Sequence, residues 1–188
     1  MILPATAKAT DGVCMACKQG IRKNLDSTKK YYEEQRKPDP VRDYWKVLVH
    51  RVHHTPEGFY GLSPTERTYY AVCLFEGEIY NGGVHQFFYN SSGNFYSEVI
   101  AGLQELGAIK SLELLLLAKQ VLFSDVDLPA ATAERREILP WWPKDKTAPT
   151  PAWSVELDSI DGKFYADPDK LGERLRYYAL YHKLIPEI

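Results

Sequence analysis

Two groups of residues in this 188-residue chain have the types that catalysis and metal binding use. The first is Glu76-Gly-Glu-Ile-Tyr-Asn-Gly-Gly-Val-His-Gln-Phe-Phe-Tyr-Asn-Ser-Ser-Gly93, which packs carboxylates, two adjacent glycines, a histidine and amides among four aromatics. Glu76 or Glu78 with His85 could act as a general acid and base. The second is Cys14-x-x-Cys17 with His50-x-x-His53, two thiolates and two imidazoles, the ligand types of a structural zinc site.

Side-chain direction weighs against both readings. Cys14 and Cys17 fall on one helical stripe with Ile21 and Leu25, where thiols serve as small hydrophobes, and His50 falls off the stripe of its own helix. No metal and no cofactor is therefore expected, and a zinc-stabilised interaction domain stands as an alternative. In the first group, Tyr69, Val72, Cys73, Glu76 and Tyr80 share one helix side, so Glu76 projects toward the apolar interior while Glu78 lies with Ala71 and Leu74. A buried carboxylate is costly unless hydrogen-bonded. After a Gly82-Gly83 reversal, His85, Gln86 and Asn90 can fold back as its partners, because glycines let the backbone approach closely. The expected role of Glu76, Glu78, Asn81, Gly82, Gly83, His85, Gln86 and Asn90 is thus a structural polar knot, and an enzyme using the buried Glu and His is the alternative. No catalytic residue is assigned. A strained nucleophile elbow, a phosphate-binding glycine loop and a dinucleotide fingerprint are all missing from the sequence, since Gly82-Gly83 follows a helix and not a strand.

The elements that position these residues read as helices throughout. Ile21, Leu25, Thr28 and Tyr32 continue the cysteine stripe until Pro38 and Pro40 stop it, and 41–52 carry a second stripe. Ser63-Pro64-Thr65-Glu66 places serine at an N-cap, proline at the first helical position and glutamate at the third, a capping box. Residues 69–75 are apolar all round, which marks the central post of a bundle. Asn81-Gly82-Gly83 should end that helix, a short aromatic turn over 84–89 should follow, and Asn90-Ser91-Ser92-Gly93 should cap the next helix. Two more helices extend to 123, and a brief one lies near 131–138. Pro140-Trp141-Trp142-Pro143 and Pro149-Thr150-Pro151 form an aromatic connector, and two last helices follow, the second opened by Asp167-Pro168. The expectation is an all-α, single-domain helical bundle of about seven to nine helices with a Pro/Trp-rich connector.

Composition fits a folded protein, with 45% hydrophobic and 26% charged residues. The first residues lack a basic region followed by a long apolar run, no segment reaches the ~18 apolar residues of a membrane helix, and three cysteines suit a reducing compartment. A cytoplasmic protein is expected. Charge is uneven: residues 1–56 hold eleven Lys/Arg against six Asp/Glu, and 57–113 hold two against seven. Glu57, Glu66, Glu98, Glu105 and Glu113 are the candidate acidic surface for a basic partner. The basic N-terminal residues carry no nucleic-acid-reading signature, so direct nucleic-acid binding is not expected. On the last helix Arg174, Tyr177 and Tyr181 line the side away from Leu171, Leu175 and Tyr178, a composition typical of protein interfaces.

Leu62-Ser63-Pro64-Thr65-Glu66-Arg67 together with Glu78, Asn81, Gly82, Gly83, Gln86, Phe87, Phe88 and Asn90 resembles the signature of the bacterial DNA-mimic protein family, with Val84 where phenylalanine is usual. The likeness is dense over 62–123 and does not cover the cysteine helix. It implies an all-helical fold, no enzymatic activity, and an acidic surface that blocks a DNA-binding regulator. Domains of this kind also look like immunity proteins that neutralise toxins. The expected partner is accordingly another protein, a DNA-binding regulator or a toxin, with no membrane involvement and a homodimer left open. Residues 1–56 are expected to be a basic helical extension packed on a main domain over 57–188.

Overall fold

The computed structural model describes residues 22–139 and 151–187 together with Val13, Cys17 and Gly20. Every regular element among them is helical: eight α-helices and two 3-10 turns, with no strand among the described residues. The all-α class expected from periodicity is the class found. No helix among the described residues is long and apolar enough to cross a membrane. Cys14 and the proline-tryptophan connector at 140–150 lie outside the described residues.

The chain divides between Asp43 and Tyr44 into two units. In the first, α1 (Arg22–Arg36) is exposed along its described side chains and carries surface pairs such as Arg22–Asp26 at 3.3 Å. Gly20 sits at φ +71°, so the single stripe expected from Cys14 to Tyr32 is interrupted there. At the start of α2 (Pro40–His54), Asp39 accepts from the main-chain N–H groups of Val41 and Arg42 at 3.0 and 3.2 Å, with proline in the first turn. That arrangement satisfies donors a helix start otherwise leaves open.

The second unit is built round α3 (Pro64–Tyr89). Its capping box is formed: the Glu66 N–H donates to Ser63 Oγ at 3.3 Å and the Ser63 N–H donates to Glu66 Oε2 at 2.8 Å. Tyr69, Tyr70, Ala71, Val72, Phe75 and Ile79 are all buried, which is how a helix apolar on every side must be used. Around it pack a 3-10 turn at Ser91–Phe95, α4 (Tyr96–Glu105), α5 (Ile109–Phe123), α6 (Thr132–Ile138), α7 (Ala152–Tyr165) and α8 (Leu171–Tyr181), with α5 also against α7. Asp167 caps α8 from four residues upstream, accepting from the Leu171 N–H at 2.9 Å. Leu171, Leu175 and Tyr178 face in, while Tyr177 and Tyr181 are each 70% exposed.

α6 owes its position to one residue. Arg135 is fully buried, and its guanidinium donates to the carbonyls of Phe88 (2.8 Å), Asn90 (2.7 Å), Pro129 (3.0 Å) and Ala130 (2.8 Å). Two of these carbonyls close the C-terminal end of α3, where four C=O groups lack helical partners and the macrodipole favours a cation. Arg136 adds a bond to the Tyr89 carbonyl at 2.9 Å and lies over that residue's ring. Arg135→Met keeps the volume but strips four carbonyls of their donor, that of the buried Phe88 and those of Asn90, Pro129 and Ala130 nearer the surface. Each orphaned group costs about 1–3 kcal/mol, so urea unfolding should show a loss of about 3 kcal/mol or more. A loss below about 1 kcal/mol would mean that the carbonyls find other donors.

Candidate functional site

The helix break at Gly82 and Gly83 organises the site. Gly83 stands at φ 77°, ψ 178°, a conformation essentially confined to glycine, and Gly82 is also non-helical. A Cβ on Gly83 would run into the Asp161 carboxylate, and one on Gly82 would fall on the side-chain amide of Gln86. Residues 84–89, expected as an aromatic turn, form a second short helical segment instead. Its first free N–H, on Val84, donates to Asp161 Oδ1 at 2.8 Å, and its last carbonyls are those taken by Arg135 and Arg136. Six residues do not hold a helix alone. Caps supplied by α7 and α6 at its two ends explain why this one is helical.

The reversal brings later residues back onto Glu78. A straight helix rises about 1.5 Å per residue, which would set Gln86 ~12 Å and Asn90 ~18 Å along the axis from Glu78. Instead Gln86 Nε2 donates to Glu78 Oε2 at 2.6 Å, Asn90 Nδ2 to the same oxygen at 3.1 Å, and Ser92 Oγ to Oε1 at 2.8 Å. Ser92 was not among the sequence candidates, although the Asn-Ser-Ser-Gly run placed a hydroxyl within reach. Glu76 and His85, expected in the same knot, are placed elsewhere. The His85 ring is only 5% exposed and stacks between Tyr89 (5.8 Å) and Trp153 (5.6 Å). Glu76 looks toward α8 across a cavity of about 10 Å³ lined by Phe164, Asp167 and Leu171, and no hydrogen bond to it exists among the described residues. Burial, and then the nearby Asp167 charge, pushes its carboxyl up to about 7.

Glu78 also forms part of the wall of an open cleft of about 380 Å³, together with Trp45, Cys73, Asn81, Gln86 and Asn90. Trp45 lies on Tyr70 with ring centres 5.1 Å apart. Asn81 is exposed, and its side chain bonds to no group among the described residues. Burial pushes the Cys73 thiol well above its usual range, which suppresses the nucleophilic thiolate.

Of the metal candidates, Cys14 is outside the described residues and Cys17 is exposed. His50 stacks on His54 at 5.0 Å, and His53 Nε2 lies 3.3 Å from the Tyr70 hydroxyl. No group of three or more His, Cys, Asp or Glu arranged for a metal occurs among the described residues. Of the acidic candidates, Glu57 and Glu113 are exposed and Glu98 is half-buried, and none of the three pairs with a side chain among the described residues. Glu105 is exposed but accepts from Thr68 and Tyr178 at 3.1 and 2.9 Å. Glu66 differs from the expectation: its side chain is 14% exposed and is bound by Arg51, Tyr44 and the Ser63 N–H. Burial alone would raise its carboxyl, but the hydrogen bonds from Ser63, Arg51 and Tyr44 bring it below the usual carboxylate value. Glu66 is therefore a structural residue and not part of an open surface.

The site is thus an all-helical domain whose central helix is broken at Gly82 and Gly83, with Gln86, Asn90 and Ser92 returned onto Glu78. The family model for DMP19-like proteins matches residues 61–182, and the chain belongs to that family. Comparisons with curated proteins and with solved structures found no match.

Two consequences can be measured. Gly83→Ala must adopt a glycine-only backbone against Asp161, and should lose about 2 kcal/mol or more in chemical denaturation. Gly77→Ala, in open helical space, should be neutral or gain up to about 1 kcal/mol. Similar effects at both sites would contradict the account of the break. For Glu76, the folded-state carboxyl holds its proton to about 7 against an ordinary 4.5. The unfolded chain therefore ionises first, and stability falls as pH rises from about 4.5 to about 7. Glu76→Gln removes that penalty. Its unfolding free energy relative to wild type, from urea melts at each pH, should climb between pH 5 and pH 8, reaching an advantage of about 1–3 kcal/mol after allowance for residual solvent screening. A difference that is flat across this range would show that Glu76 ionises freely.

Proposed function

We propose that the chain acts by binding and performs no chemistry of its own: its acidic helical surface covers the DNA-binding face of a DNA-binding protein. Family membership is the observation that carries this reading. Charge supports it. Residues 61–182 hold eleven Lys/Arg against seventeen Asp/Glu, while residues 1–60 hold eleven against seven, so the chain's modest overall charge of −2 conceals an acidic matched region. One of the eleven cations there, Arg135, is sealed inside on main-chain carbonyls and contributes nothing to the outer surface. Glu57, Glu98 and Glu113 carry charge that no described side chain neutralises. In this reading residues 57–188 are the binding domain and the basic residues 1–56 an extension of it.

The test is affinity capture from the native cell with the intact chain and with the triple variant Glu57→Lys, Glu98→Lys, Glu113→Lys. Protein identification by mass spectrometry would follow elution with random-sequence duplex DNA. The expected outcome is a DNA-binding protein displaced by the duplex, and captured at least tenfold less by the variant at low salt. A partner that neither duplex DNA nor charge reversal affects would overturn the proposal.

A further inference from the structure

We infer that the cleft beside the helix break receives the guanidinium of an arginine side chain presented by the partner protein. This rests on the reading that the partner is a DNA-binding protein, whose phosphate-contacting surface is rich in arginine. The carboxylate of Glu78 is the first ground. It is fixed in position by Gln86, Asn90 and Ser92, all neutral donors, and no Lys or Arg among the described residues pairs with it. Neutral donors orient a carboxylate without cancelling its charge. The three side chains make four contacts, and the one from Asn90 to Oε1 is long, at 3.4 Å, so a stronger N–H donor can take its place on that oxygen.

The rest of the cleft fits a planar cation and not a compact one. Trp45 lines the cleft while packing on Tyr70, and an indole ring attracts a guanidinium lying on its face. Asn81 borders the same space with an exposed amide that no described residue engages, so its carbonyl oxygen can take a second N–H. One carboxylate, one carbonyl and one aromatic ring match the forked, stackable donor set of arginine. An ammonium group would use the charge but not the ring and the fork together. At about 380 Å³ the cleft is open enough for a side chain to enter from solvent.

The experiment uses the isotope-labelled full chain and needs no partner: titration with N-acetyl-arginine amide, followed by NMR at the Trp45 indole N–H and the side-chain amides of Asn81, Gln86 and Asn90. Capped arginine should give saturable shifts at these groups. Capped citrulline, the neutral isostere, should bind at least about tenfold more weakly, as loss of a charge-assisted bond requires. Asn81→Lys, at an exposed position, should abolish the shifts while leaving the melting temperature unchanged, and Glu78→Gln should weaken them at least tenfold wherever it folds. Equal shifts from citrulline, equal binding of capped lysine, or unaltered binding by Asn81→Lys would each overturn the inference. So would arginine shifts confined to the outer carboxylates. Because the probe is a small molecule, its failure leaves the charge-reversal result standing, and failure of the capture experiment leaves the titration standing.

Discussion

A half-buried carboxylate on a central helix has few ways to be satisfied, and the second unit of this protein is arranged round one of them. Glu78 needs donors, and its upstream neighbours on the same face, Ala71 and Leu74, are apolar. The chain supplies them by reversing direction a turn later, so that Gln86, Asn90 and Ser92 come back onto it. Each of these bonds makes a modest net contribution of about 1 kcal/mol, or somewhat more to a charged group. Removing them would leave a desolvated charge, which costs far more. The reversal forces Gly83 into a conformation closed to other residues, and leaves a six-residue helical piece with both ends open. Asp161 closes one end, and Arg135 and Arg136 close the other. One local requirement therefore fixes where α6 and α7 must dock.

Glu76 and Glu78 are two residues apart and illustrate how environment, not residue type, decides what a carboxylate does. Two residues along a helix turn a side chain roughly 200° about the axis. Glu78 faces the returning amides and an open cleft. Glu76 faces the start of α8, where Asp167 already spends its own carboxylate capping Leu171, and burial with that neighbouring charge favours the protonated form. An acid–base pair would require the two, or either with His85, to converge on one reacting atom. His85 instead lies flat between Tyr89 and Trp153. The three groups serve three separate pieces of packing.

Much of the architecture was legible because it is written locally. Apolar residues at every position of 69–75 announce a central helix, Ser63 and Glu66 announce its start, and Asn81-Gly82-Gly83 announces a break. What escaped a reading of the sequence depends on partners far along the chain. Residues 84–89 looked like a turn because nothing nearby reveals that Asp161, 77 residues on, and Arg135, 47 residues on from Phe88, would cap them. Arg135 itself sits in a polar stretch, Ala131-Thr-Ala-Glu-Arg-Arg-Glu137, where nothing separates the buried arginine from its exposed neighbour. Glu66 is the opposite case: the capping box that was recognised already committed its carboxylate, which argued against counting it on the surface. The polar knot was expected round an inward-facing Glu76 with His85, Gln86 and Asn90 returning to it, and Glu78 as a further member; the returning amides reach Glu78 instead, because the rotation of a kinked helix is not written in the sequence.

In the proposed reading two kinds of negative charge face a partner, and they act over different ranges. Outer carboxylates such as Glu57 and Glu113 stand in solvent, where added salt confines their influence to about 8 Å at physiological ionic strength, so they guide approach and orientation more than they hold. The Glu78 charge is partly enclosed and already oriented by its donors, so a group that reaches it meets a site that need not rearrange. Pre-orientation of this kind removes a cost that flexible surface pairs must bear on binding. In the proposed reading the surface that steers and the cleft that grips stand on different elements, Glu98 and Glu113 on α4 and α5 and Glu78 at the break of α3, so each can be altered without the other.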